Sequence, residues 1–132
     1  MNQTTESLIE RPDHPLILSS LVNGTPVFNL VGEWIVHVDE LSIEKVSGRT
    51  IYAIMSFGGF LGIGEKFHPV PWSLLDYDVQ RGGFTVPLDR TALEDAPSYD
   101  RAELRNLGGA DHRFWDEAIY GYYSPYGAVP YW

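Results

Sequence analysis

Apolar and polar positions along the first two thirds of the chain fall into short bursts with the period of strands. "PVFN", "EWIVHVDELSIEKV", "RTIYAIMSF", "FHPVPW", "YDVQ" and "GFTVPL" are each rich in β-branched or aromatic residues. Gly24, the Ser47-Gly48 pair, the glycines between 58 and 64 and the Gly82-Gly83 pair punctuate them. Short strands separated by glycine turns at this spacing predict an antiparallel sheet or a small barrel. Residues 1–19, polar over most of their length and carrying Pro12 and Pro15, form an N-terminal arm on this reading.

Two of the bursts carry more information than their length. In Glu33–Val46, the residues Trp34, Val36 and Val38 share one parity and Leu41 and Ile43 the other. A bulge around Val38 to Glu40 restores the phase and bends the strand, as a small barrel requires. In "RTIYAIMSF" both parities are apolar, so this strand is buried on two sides and needs a cover on its outer face. Met55, Phe57, Val70 and Trp72 are expected in the core. Further on, Asp89 is placed to cap a short helical turn that stops near Pro97. "DHRFWDEAIYGYY" predicts a helix capped by Asp111, with Phe114 or Trp115 meeting Ile119.

Composition narrows the partners. The 132 residues hold 18 acids against 9 bases, a net charge of −9, which disfavours nucleic acid and anionic membrane surfaces. There is no cysteine, which removes disulfides and thiolate metal sites. No apolar run approaches the roughly 20 residues that span a bilayer, so no direct membrane insertion is expected. The start of the chain lacks the pattern of a secretory signal, and the expected location is cytoplasmic.

One stretch imitates an enzyme motif. In "SFGGFLGIGEKFHPVPW", Gly59 and Gly64 have the separation of a phosphate loop. Glu65 stands where the lysine belongs, Lys66 comes one place late and Phe67 replaces the hydroxyl residue. A carboxylate is the wrong charge for a phosphate nest, and the prolines that follow cannot open a helix. The stretch is expected to be a wide turn.

The same residues carry a resemblance. "YAIMSFGGFLGIGEKFHPVPWSLL" resembles the signature of the PRC-barrel family, named after the cytoplasmic domain of the photosynthetic reaction-centre H subunit. That family also includes the C-terminal domain of a ribosome maturation factor. "GEWIVHVDELSIEKVSGRTIYA" is similar to its first hairpin and "LDRTALEDAPSYD" to its closing stretch, so the likeness runs from about Leu21 to Tyr99. Trp34 and Val36 depart from it, standing where members carry a small or charged residue and a glycine. The resemblance implies a mainly β fold, a small antiparallel barrel over residues 20–99, in a stand-alone bacterial member. It implies no shared catalytic residues, and its members are adaptor or regulatory modules.

The remaining chemistry is sparse. His14, His37, His68 and His112 are scattered without ligand spacing and are expected as surface or half-buried imidazoles, with no metal and no cofactor. Asp76 and Asp78 share a strand face, where edge charges that discourage aggregation explain them better than acid–base work. The extension 100–132 is the unusual part. Phe114, Trp115, Tyr120, Tyr122, Tyr123, Tyr126, Tyr131 and Trp132 crowd into it. They are expected to cover a barrel face, in this chain or a partner, and to offer an interaction surface, since Tyr and Trp dominate interface hot spots. The expected function is a non-enzymatic interaction or regulatory module that self-associates as a homodimer and meets an unidentified protein. The alternative is a small-molecule-binding protein, or an enzyme, with a pocket between barrel and tail.

Overall fold

The computed structural model describes residues 16–57, 66–108 and 112–132, and for 112–114 the backbone alone. The glycine turn at 58–64, the arm up to Pro15 and the Asp111 cap lie outside the described residues. Six strands follow the apolar bursts: β1 (Pro26–Phe28), β2 (Trp34–Ile43), β3 (Thr50–Phe57), β4 (Lys66–Pro71), β5 (Asp76–Asp78) and β6 (Gly83–Thr85). They form one sheet in the order β4-β3-β2-β1-β6-β5. Every neighbouring pair is antiparallel except β1 with β6, which run parallel. The sheet is therefore mixed, where an antiparallel one was expected. β6 reaches β1 from a distant part of the chain, so no hairpin dictates its direction. Among the described residues no ladder joins β4 to β5, and hydrogen bonds do not close the sheet into a ring.

β2 bends where its parity changes. Its register against β3 shifts between Val38 and Glu40, which leaves Asp39 as the extra residue of a bulge. Val38 lies opposite Met55 and Leu41 opposite Ala53, so both face the same side despite their opposite parity. Two further irregularities escape the pattern. One, in the pairing with β1, inserts Ile35 between Val36 and Trp34; the other, near the far end, inserts Ile51 on β3. Each rotates the end of the strand, which is why Trp34 and Ile43 stand half in solvent at 49% and 50% exposure. The Arg90 guanidinium closes the first bulge by donating to the Ile35 carbonyl at 2.6 Å, and it stacks over the Trp34 and Phe57 rings.

β3 is buried on both sides from Ile51 to Met55. Tyr52, Ile54 and Ser56 share a face with Pro71, Pro69 and Phe67 of β4, while Ala53 and Met55 share the other with Val70 and His68. Met55 and Val70 are fully buried as expected. Phe57 and Trp72 are only partly so. Trp72 opens a 3-10 turn (Trp72–Leu74) instead of continuing the strand, and its ring rests edge-on against Phe84 at 5.4 Å. His68 is a second departure, since it is buried at 4% exposure with its ring edge-on to Phe57.

The helices finish the packing. α1 (Ser19–Val22) sends Val22 into the core. α2 (Arg90–Glu94) is capped by Asp89, whose carboxylate accepts from Ala92 N at 2.7 Å, and it buries Leu93. α3 (His112–Tyr123) is the longest, and a 3-10 turn (Ser124–Tyr126) follows it. β5 lies at the free end of the sheet. There Asp78 also clamps the β5–β6 turn, accepting from Gln80 N, Arg81 N and the Arg81 side chain.

Candidate functional site

Chain direction after α2 brings the extension back to the outer face of β3 and β4. Phe67 and Tyr99 exchange two backbone hydrogen bonds of 2.9 Å, which blunts the free edge of β4. Just beyond, Asp100 and Glu103 cap each other's backbone N–H groups and start a 3-10 turn (Glu103–Asn106). The Arg101 guanidinium lies over the Phe67 ring, 4.6 Å from its centroid. These contacts fix the approach of α3.

The buried stripe of α3 is Asp116, Ile119, Tyr120 and Tyr123, spaced i, i+3, i+4, i+7 as an amphipathic helix requires. One of those four is a carboxylate, and it is completely inaccessible. A buried charge is costly unless hydrogen-bonded. Tyr52 donates its hydroxyl to Asp116 Oδ1 from the outer face of β3, and Gly108 N–H donates to Oδ2 at 3.0 Å. The Tyr131 hydroxyl also bonds to Asp116 from the returning tail. Tyr52, Tyr120 and Tyr131 pack ring against ring at 5.9–6.1 Å. Burial first, then the Asp116 carboxylate, pushes the Tyr52 phenol far above its ordinary value. Burial and neighbouring phenols or Asp116 push Tyr120 and Tyr131 each up to about 12. These phenols are held protonated, and Tyr52 and Tyr131 work as donors that lock one acid in place while Tyr120 packs against both rings.

The rest of the extension fastens on either side. Tyr122 donates its hydroxyl to the Ala92 carbonyl of α2, and Trp115 packs edge-on against Tyr99 at 5.0 Å. Gly127, at φ +100, turns the chain back in the left-handed region so that Tyr131 and Trp132 reach Tyr120. Arg49 of the β2–β3 turn donates to the Tyr131 carbonyl at 3.3 Å. Between that turn, the 103–106 turn and Tyr131 lies an open cavity of about 400 Å³.

The structure divides the eight tail aromatics. Tyr120 and Tyr123 belong to the core, and Trp115, Tyr122 and Tyr131 are partly buried against it. Tyr126 and Trp132 are exposed, and the Phe114 side chain lies outside the described residues. Asp116, Tyr52, Lys45 and Arg105 were not singled out by the sequence reading. The signal available for Asp116 was an acid standing within an otherwise apolar helical stripe. Among the described residues no group of histidines and acids could hold a metal ion, and no helix is long and apolar enough to cross a membrane.

The family profile for the PRC-barrel domain matches residues 15–93. That span is more than half of the chain, and the chain belongs to the PRC-barrel domain family. No curated protein matches it. Tyr52 and Lys45 fall inside the matched span, whereas Arg105, Asp116 and Tyr131 fall beyond it. The seam thus joins the family domain to an extension of its own.

Proposed function

We propose that this chain is a non-enzymatic interaction module that self-associates through the rim of the tail seam. One observation carries the reading: the tail packs five of its eight aromatics wholly or partly into the fold yet leaves an apolar strip in water. Trp132 is 47% exposed and Val129 70%, with Ile43 across the cavity on the β2–β3 hairpin. Trp132 packs edge-on against Tyr131 at 5.2 Å; Tyr131 lines one cavity with Ile43 and another with Val129, which makes the strip continuous. Contiguous exposed apolar surface marks interaction sites. Its charged flanks carry both signs, in the pairs Arg49–Glu44 and Arg101–Glu40. Two copies related by a two-fold axis present this same strip to each other.

Sedimentation velocity on the full chain tests this reading across the micromolar to millimolar range. A dimer that Trp132→Ser with Ile43→Ser converts to monomer is the expected result. A chain that stays monomeric throughout, or a dimer indifferent to both changes, overturns it. A second reading, a small-molecule-binding protein, is favoured by the cavity between hairpin and tail.

A further inference from the structure

The cavity at the seam carries cations in a chain that is acidic as a whole. Lys45 enters it from the β2–β3 turn and Arg105 from the 3-10 turn ahead of α3. Bases are outnumbered two to one in this sequence, and Arg49, Arg81, Arg90 and Arg101 are each ion-paired. Among the described residues neither Lys45 nor Arg105 has an ion-pair partner. The acid on the same wall, Glu44, is engaged within its own hairpin by Ser47 Oγ and by Arg49 at 3.8 Å. Asp116 lies behind Tyr52 and Tyr131, sealed from solvent and already accepting from Tyr52 and Gly108. Two uncompensated cations therefore converge from separate elements on one concave surface, which concentrates anions there.

The remaining wall is apolar: Ile43, Ile51, Leu107 and the faces of Tyr52 and Tyr131. A volume of about 400 Å³ lies within the range of small-molecule sites, about 300–1,000 Å³. We infer that this cavity binds a small organic anion, a carboxylate on an apolar or aromatic body. The carboxylate sits between Lys45 and Arg105, and the body lies along Ile51 and Leu107. Bidentate hydrogen bonding by the guanidinium favours a planar carboxylate, and the lysine adds a mobile point charge. The inference rests on the small-molecule reading of the cavity, and because Ile43 and Tyr131 belong to both the cavity and the self-association strip, the two are tested apart.

The test uses the full chain carrying Trp132→Ser, at a concentration where sedimentation shows it monomeric, which keeps it apart from dimer formation. Phenylacetate, its neutral analogue phenylacetamide and inorganic phosphate are titrated separately and followed by two-dimensional amide NMR. Phenylacetate is expected to shift the amides of Lys45, Ile51 and Gly108 and to bind about ten-fold more tightly than phenylacetamide, the scale of one charge-assisted hydrogen bond. Lys45→Gln with Arg105→Gln should remove that preference, whereas Arg81→Gln, on the distant β5–β6 turn, should retain it. Both target side chains are exposed, so the double variant is expected to fold, and its spectrum reports whether it does. Equal binding of phenylacetate and phenylacetamide sinks the anion assignment and leaves the cavity reading standing. No shift with any of the three sinks both. Phosphate binding as tightly as phenylacetate overturns the role given to the apolar wall.

Discussion

Tyr52 and Asp116 stand 64 residues apart in the chain and share a buried hydrogen bond across the seam between β3 and α3. The bond makes one strand of the barrel domain and one helix of the extension a single packing unit. Tyr52→Phe keeps the ring and removes the donor, leaving Asp116 short of a partner. It is expected to cost about 1–3 kcal/mol, the desolvation penalty of an unsatisfied buried group. Urea unfolding monitored by tryptophan fluorescence measures it. A loss below about 0.5 kcal/mol, ordinary for a surface change, would show that Asp116 does not depend on this bond.

Removing the cover should be worse than loosening it. A chain ending at Gly108 leaves the β3–β4 outer face, with Tyr52, Ile54, Phe67 and Pro69, open to water. Such a patch drives association in a soluble protein. The shortened chain is expected to aggregate or to melt well below the full one. An unchanged melting temperature and an unchanged gel-filtration volume would mean that the tail does not serve as cover.

Gly83 is required where β1 and β6 run side by side. A Cβ built there collides with the Pro26 carbonyl oxygen, a backbone atom that cannot rotate away, and comes within 2.9 Å of the Phe28 ring. Gly83→Ala is expected to destabilise the fold by about 1–3 kcal/mol or more, the range for overpacked sites. Thermal denaturation by circular dichroism checks it, with Gly121→Ala, which meets nothing within 4 Å, as the comparison.

The buried phenols set an alkaline limit. Tyr120 and Tyr131, pushed up to about 12, keep their protons in the folded chain while the unfolded chain gives them up from pH 10.0. Stability contributed by these groups is complete below pH 10.0 and falls as pH rises towards 12. Phenolate absorbance is expected to show a late class of tyrosines whose ionisation coincides with unfolding. Complete ionisation of all tyrosines near pH 10 in a still-folded chain would contradict it.

An acid limit comes from His68. Burial pushes its imidazole below the ordinary value of 6.5, against smaller upward effects from its hydrogen bond to the Ala96 backbone and the charge of Glu94. The contribution is present above pH 6.5 and is lost as pH falls through the folded value, because the unfolded chain takes up the proton first. His68→Leu should flatten the decline in stability below that pH. A parallel decline in both chains would assign acid sensitivity elsewhere.

Much of the fold was legible because β strands announce themselves by parity. The Asp39 bulge follows from the phase change between Val38 and Leu41, and the Asp89 cap from its place before an apolar turn. The bulge at Ile35 was not legible, because two adjacent apolar residues look the same whether or not the strand is regular. The parallel pairing of β1 with β6 was equally hidden, since strand direction across a long connection leaves no local trace. At the site, aromatic crowding pointed to the tail. It could not show that Tyr120 and Tyr123 face inward, which depends on how α3 is rotated about its axis, or that Trp132 faces out, which depends on the turn at Gly127. The inward face is set by Asp116, and a single acid in an apolar stripe reads equally well as a break in that stripe.

The parallel pairing also sets a clock on synthesis. Val27 emerges from the ribosome long before Phe84, its partner across the β1–β6 ladder. At about 5–20 residues per second, the nascent chain passes several seconds with β2, β3 and β4 able to pair locally while β1 keeps one edge unfilled. Asp116 arrives later still, and until then the outer side of β3 has no lid. A newborn chain of this protein is therefore stickiest in its middle age, after its hairpins have formed and before its last helix is made. A cell that stalls translation in that interval should find the protein held by chaperones.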